Sequence, residues 1–183
     1  MKTVAAVLGM LGMLVAMTGC SVAPLRVSDH YIVEADPAFS PSDMDALSAA
    51  VESWNAARPG TLQLVVASCS GEVDNVICVH ASDEAATQQI AGGTTDLIEG
   101  RTDGPSSDSS GAEIWIARDN VAALPAWAAA WAPQENFGHE LGHALGLEHH
   151  NGVGALMNFA AIGSSRGVIT ADDLAQFDAV RGH

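Results

Sequence analysis

The feature that most constrains this chain is an eleven-residue run at 139–149, His-Glu-Leu-Gly-His-Ala-Leu-Gly-Leu-Glu-His. On a helix, residues four apart share a face, so His139 and His143 can offer ring nitrogens to one ion. Glu140 follows the first histidine and falls beside such an ion, where a proton acceptor for an attacking water belongs. Gly146 can take the positive φ that ends a helix and reverses the chain, which brings His149 back as a third donor. Three protein ligands leave a fourth tetrahedral position open, as in catalytic zinc sites and unlike closed structural ones. At this chain's own residue frequencies the register arises by chance on the order of once in 20,000 chains. The competing reading is a buried helix with ordinarily hydrogen-bonded histidines. It would bury three imidazoles and a carboxylate around one turn at considerable cost.

The 183 residues suit one domain with a substantial core. Twenty-two acidic residues against seven Lys and Arg give a formal charge of −15, leaving no basic stripe for a phosphate backbone. Nucleic acid is therefore excluded as a partner. Lys2, the apolar run Val4–Met17 and Met17-Thr18-Gly19-Cys20 read as an export signal. The apolar run is too short for a membrane span. A cysteine after small residues resembles a bacterial lipoprotein signal with Cys20 as the lipidated residue; simple cleavage is the alternative. Residues 1–19 are set apart from the fold, and 20–183 are expected to form a single domain, with membrane contact only through the lipid. Cys69 and Cys78, with eight residues between them, are expected as a disulfide in an exported protein. Such a bridge would contribute about 2–3 kcal/mol.

Strands are expected over Leu25–Glu34, Leu62–Ala67, Val76–His80 and Glu113–Ala117, the second and third of them buried. Ser40 or Ser42 caps a helix on which Met44, Leu47, Ala50, Val51 and Trp54 recur at helical spacing until Pro59-Gly60. Residues 83–89 allow a short helical turn. Gly92–Gly111 reads as loop with one edge strand near Thr94–Ile98. Ala122–Trp131 is helix-compatible, and Thr170 caps a last helix over Ala171–Val180. The fold class is α+β: a twisted mixed sheet of about five strands with three main helices.

The motif resembles that of the metzincin zinc proteases, whose H-E-x-x-H-x-x-G-x-x-H pattern is met by His139, Glu140, His143, Gly146 and His149. The family places a Met-turn beneath its metal, and Ala155-Leu156-Met157 lies at a spacing like that of the matrixins. Met157 is otherwise a core methionine. A closing helix with Asp172-Asp173 extends the likeness over Leu25–His183. His150, Gly152 and Asn158-Phe159 depart from the residues usual in matrixins. The resemblance implies a zinc endopeptidase acting on peptide or protein substrates, with one catalytic Zn²⁺ on His139, His143 and His149 and Glu140 as general base. Substrate is expected along a sheet edge such as Thr94–Ile98, with Phe159–Gly163 walling a side-chain pocket. A zinc-holding binding module and a hydrolase of non-peptide substrates remain alternatives. His30 and His80 read as half-buried histidines, and His150 competes with His149 for the metal. Asp96, Glu99, Asp103 and Asp108 lack calcium-loop spacing, so Ca²⁺ has no specific motif. Trp115, Trp127 and Trp131 are expected in the core or a pocket wall.

Overall fold

Alternation along the first strand sorts its side chains: Tyr31, Val33 and Ala35 are buried, while Ile32 and Glu34 point the other way. In a computed structural model describing residues 24–69, 71, 73–82, 100–117, 132–158 and 168–182, this strand belongs to a five-stranded sheet. The elements run β1 (Tyr31–Ala35), α1 (Pro41–Ala57), β2 (Leu62–Val66), β3 (Val76–Ser82), β4 (Gly100–Asp103), β5 (Ala112–Ala117), α2 (Ala132–Ala144) and α3 (Ala171–Arg181). The sheet order is β2-β1-β3-β5-β4, with β4 antiparallel to β5 and every other pair parallel. The fold is the expected mixed-sheet α+β arrangement, with three helices among the described residues.

Helix α1 starts where a capping box allows: the Ser40 hydroxyl accepts from the Asp43 amide, and the Asp43 carboxylate accepts from the Ser40 amide. Its buried stripe is Leu47, Ala50, Val51 and Trp54. Trp54 satisfies its buried indole by donating from Nε1 to the Gly138 carbonyl at 3.0 Å, which ties α1 to α2. Helix α3 has its own capping box, Thr170 with Asp173, and ends on Gly182 at φ +74. The Phe177 ring of α3 stacks on Trp54 at 6.1 Å, so all three helices feed one core with Val33, Ile77, Val79, Ile114 and Ile116 from the sheet.

Four expectations are corrected. The first strand begins at Tyr31 instead of Leu25, because the Ser28 hydroxyl bonds the His30 carbonyl and amide and holds a turn there. β3 is buried as expected, but β2 lies at the sheet edge, leaving Val65 and Val66 exposed by 36% and 63%. Trp115 is only half-buried, on the face away from the helices, where it stacks on His80. Cys69 and Cys78 are free thiols and not a bridged pair. Cys69 lies in the β2–β3 connection with its sulfur within 4.8 Å of that of Cys78; Cys69 Sγ also reaches the Glu34 carbonyl and Cys78 Sγ that of Gly71. The lipidated Cys20 and residues 1–19, the segments 83–89 and 94–98, Ala122–Trp131 with Trp127, and Phe159–Gly163 lie outside the described residues. Among the described residues no helix is long and apolar enough to cross a membrane.

Candidate metal centre

Helix α2 carries His139 and His143 on one face, and the chain leaves it through a Schellman turn. The Leu147 amide reaches the Gly142 carbonyl at 3.0 Å, the Gly146 amide reaches that of His143 at 2.9 Å, and Gly146 sits at φ +88. That reversal returns His149 to its partners. The three Nε2 atoms meet at 2.9 Å (His139–His149), 3.1 Å (His143–His149) and 3.2 Å (His139–His143). Bonds of about 2.0–2.1 Å to a tetrahedral zinc would separate such nitrogens by roughly 3.3 Å.

The hydrogen bonds behind the rings show why this cluster suits a cation. His139 Nδ1 lies 2.7 Å from the Leu156 carbonyl, and His143 Nδ1 lies 2.8 Å from that of Leu147. A carbonyl only accepts, so both Nδ1 atoms carry the proton and both neutral rings turn an Nε2 lone pair inward. Two lone pairs at 3.2 Å cannot bond each other, whereas a cation between them satisfies both. Burial lowers all three pKa values. For His143, whose pKa falls to about 4, the neighbouring His139 adds to the effect; His149 adds to it for His139, and His150 for His149. All three rings are thus neutral near pH 7, the form that binds metal.

Glu140 is buried, 6% exposed, and removal from water pushes its carboxyl up to about 7. One contact opposes that shift: the Thr102 hydroxyl donates to Oε2 at 2.6 Å. Thr102 is on β4, at the sheet edge, and the same strand brings Gly100 against the carboxylate. A Cβ on Gly100 would lie 2.5 Å from both Cγ and Oε1 of Glu140. The His side chains, Glu140, Gly100, Thr102, Pro105 and Leu25 line an open cleft of about 420 Å³ between β4 and the α2–His149 turn.

Below the histidines, Met157 is fully buried, its sulfur occupying the space a side chain at Gly142 would fill; a Cβ there would clash with Met157 Sδ. The backbone at Leu156 is pinned from two sides. Its carbonyl accepts from His139, and its amide, with that of Met157, donates to the buried Asp173 carboxylate at 3.1 and 3.0 Å. Burial raises the Asp173 pKa, but bonds from Thr170, Met157 and Leu156 outweigh it and hold the group below the usual carboxylate range. Asp173 also takes His150 away from the metal. His150 Nδ1 accepts from the Gly152 amide, so its Nε2 carries the proton that bonds Asp173 Oδ1 at 3.0 Å.

The structure therefore brings together His139, Glu140, His143 and His149, with Met157 beneath, and turns His150 aside. His30 bonds the Gly60 carbonyl away from this centre, and Asp103 is held by Arg101. Sequence reasoning missed Thr102, Gly100 and the role of Asp173. The Thr170-x-x-Asp173 capping pattern was the available signal for Asp173. Nothing in Gly100-Arg101-Thr102-Asp103 signals this stretch, which the sequence places in a loop and which forms strand β4. It carries no apolar alternation, because one face meets Glu140 and the other meets Trp115 through Arg101.

No family model matches the chain, and no curated protein does. Among solved structures it is similar to the crystal structure of archaemetzincin from Methanopyrus kandleri, with a TM-score of 0.53 at 13% identity. The match covers 85% of this chain and 98% of that one. At that identity the likeness establishes the fold alone and does not single out the matrixins. The chain has an archaemetzincin-like fold, and its three-histidine cluster lines the open cleft between β4 and the α2–His149 turn.

Proposed function

We propose that the chain is a zinc-dependent endopeptidase. The reading rests above all on the three converging Nε2 atoms with a buried carboxylate beside them at an open cleft. His139, His143 and His149 would hold the ion, whose Lewis acidity polarises a carbonyl and makes water acidic near neutral pH. Glu140 takes the proton of the attacking water at a carboxylate oxygen and later returns it to the leaving amine. Thr102 holds that carboxylate in place through Oε2. An extended substrate lies along β4, the edge strand that lines the cleft, by strand addition. The archaemetzincin likeness supports a metzincin-type peptidase without favouring matrixin specificity. Export with a lipid anchor at Cys20 is part of the same reading, and the mass of the mature N-terminus tests it.

Casein or a quenched-fluorescence peptide library, assayed with and without chelator, tests the activity. We expect one zinc at the histidine centre, cleavage abolished by chelation, and a loss of about 10²–10⁴-fold in Glu140→Ala with the metal retained. Cleavage that survives Glu140→Ala would refute the mechanism. Zinc binding without hydrolysis of any peptide would favour a binding module instead.

A further inference from the structure

A second group of metal-seeking side chains stands on the face of the sheet turned away from the helices. Ile77 and Val79 of β3 point into the core, so alternation places Cys78 and His80 on the opposite face. The chain between β2 and β3 returns across that face and carries Cys69 to them. One ligand atom from each of Cys69, Cys78 and His80 lies within 4.8 Å of the other two.

Ordinary packing does not account for the group. A buried cysteine behaves as a small apolar side chain, which would explain Cys78 alone. His80, however, has its Nε2 shut off from solvent with no hydrogen-bond partner, and the Glu113 carboxylate stands 3.8 Å away, too far to bond it. A buried polar atom left unmade costs about 1–3 kcal/mol, so it calls for a partner. The ring lies stacked on Trp115 at 5.4 Å and 19°, which favours this orientation. The thiols make long contacts to carbonyl oxygens, at 3.6 Å from Cys69 and 3.9 Å from Cys78, and meet each other.

We propose that Cys69, Cys78 and His80 form a second metal site, distinct from the histidine centre, that takes a thiophilic d¹⁰ cation, with Zn²⁺ as the probe ion. Two sulfurs and one imidazole select such ions and reject Ca²⁺ and Mg²⁺, which prefer oxygen. Binding releases one proton from each thiol and leaves a dithiolate that neutralises the 2+ charge. Burial and the neighbouring Cys78 push the Cys69 thiol up, so without metal that thiol stays protonated and unreactive. Cross-strand register sets Glu113 beside Cys78, with its carboxylate 3.8 Å from His80 Nε2. The site would staple the β2–β3 crossover to the sheet. It shares no residue with the cleft, so it stands or falls independently of the proposed peptidase activity.

Cobalt titration of the chelator-stripped full chain under reducing conditions tests this. A sulfur-to-cobalt charge-transfer band should appear, remain in His143→Ala, vanish in Cys69→Ser and weaken in His80→Ala, with far-ultraviolet dichroism unchanged. In the unmodified chain, Zn²⁺ should protect two thiols from a disulfide reagent. Absence of the band with both thiols free overturns the proposal. Recovery of Cys69 and Cys78 as a disulfide from protein kept reduced, lighter by two hydrogens, overturns it as well.

Discussion

Thr102 shows how one hydroxyl can govern the chemistry of a centre it does not join. A hydrogen bond to an ionised carboxylate stabilises the charged form, so Thr102 lowers a Glu140 pKa that burial has raised to about 7. Glu140 must be ionised to accept a proton, so activity should rise with pH as it deprotonates. Thr102→Val removes the opposing bond, and the acid limb of the rate profile should move to higher pH with zinc content unchanged. A limb that stays put would show that another group controls it. Gly142→Ala should be severe for a different reason: its Cβ has no room beside Met157 Sδ and lies 3.3 Å from Trp54. We expect about 1–3 kcal/mol of lost stability from overpacking, read as a lower denaturant midpoint. At this scale, the ligands were legible because their spacing is local to one helix and one turn. Thr102 was not, because its contact with Glu140 spans 38 positions and depends on which strand ends beside α2.

Among the elements, the Met-turn is held in place by its neighbours. Asp173 of α3 accepts from the amides of Leu156 and Met157, and the Leu156 carbonyl in turn fixes the His139 tautomer. Asp173→Ala leaves those buried amides unpaired at about 1–3 kcal/mol each. It should lower the thermal midpoint and also weaken zinc binding; zinc affinity equal to the parent's would separate α3 from the centre. Helix α1 was legible to its cap because Ser40, Pro41 and Asp43 act within one turn. Strand β4 was not legible, since Gly-Arg-Thr-Asp becomes a strand only through its pairing with Ile114 and Ile116 and their neighbours. β2 misled in the opposite way: its valines read as core, but sheet order, which no local pattern encodes, puts Val65 and Val66 at an edge.

For the whole molecule, the depressed histidines couple folding to pH. His143 titrates near 4 when folded and near 6.5 as a free side chain, so between these values the unfolded chain binds more protons. The metal-free protein should therefore lose stability as pH falls from about 6.5 towards 4. Asp173, held below the ordinary carboxylate range, adds a further loss at lower pH. Zinc that binds only the folded form should raise the thermal midpoint near neutrality, and this gain should shrink on acidification as protons compete for the ligands. Midpoints with and without chelator across that range check both statements, and parallel curves would contradict the second. The mixed fold class was legible because strand-like and helix-like stretches alternate along the chain. The free Cys69–Cys78 pair was not, since bonding depends on how the crossover lies on the sheet.

The bond from α3 to the Met-turn also bears on when the centre can form. A ribosome releases the histidine motif well before Asp173, so the nascent polypeptide carries all three imidazoles while the clamp that steadies the ground beneath them is still unmade. Competence thus waits until α3 docks, and a chain arrested before that moment holds the ligands without the frame that aims them.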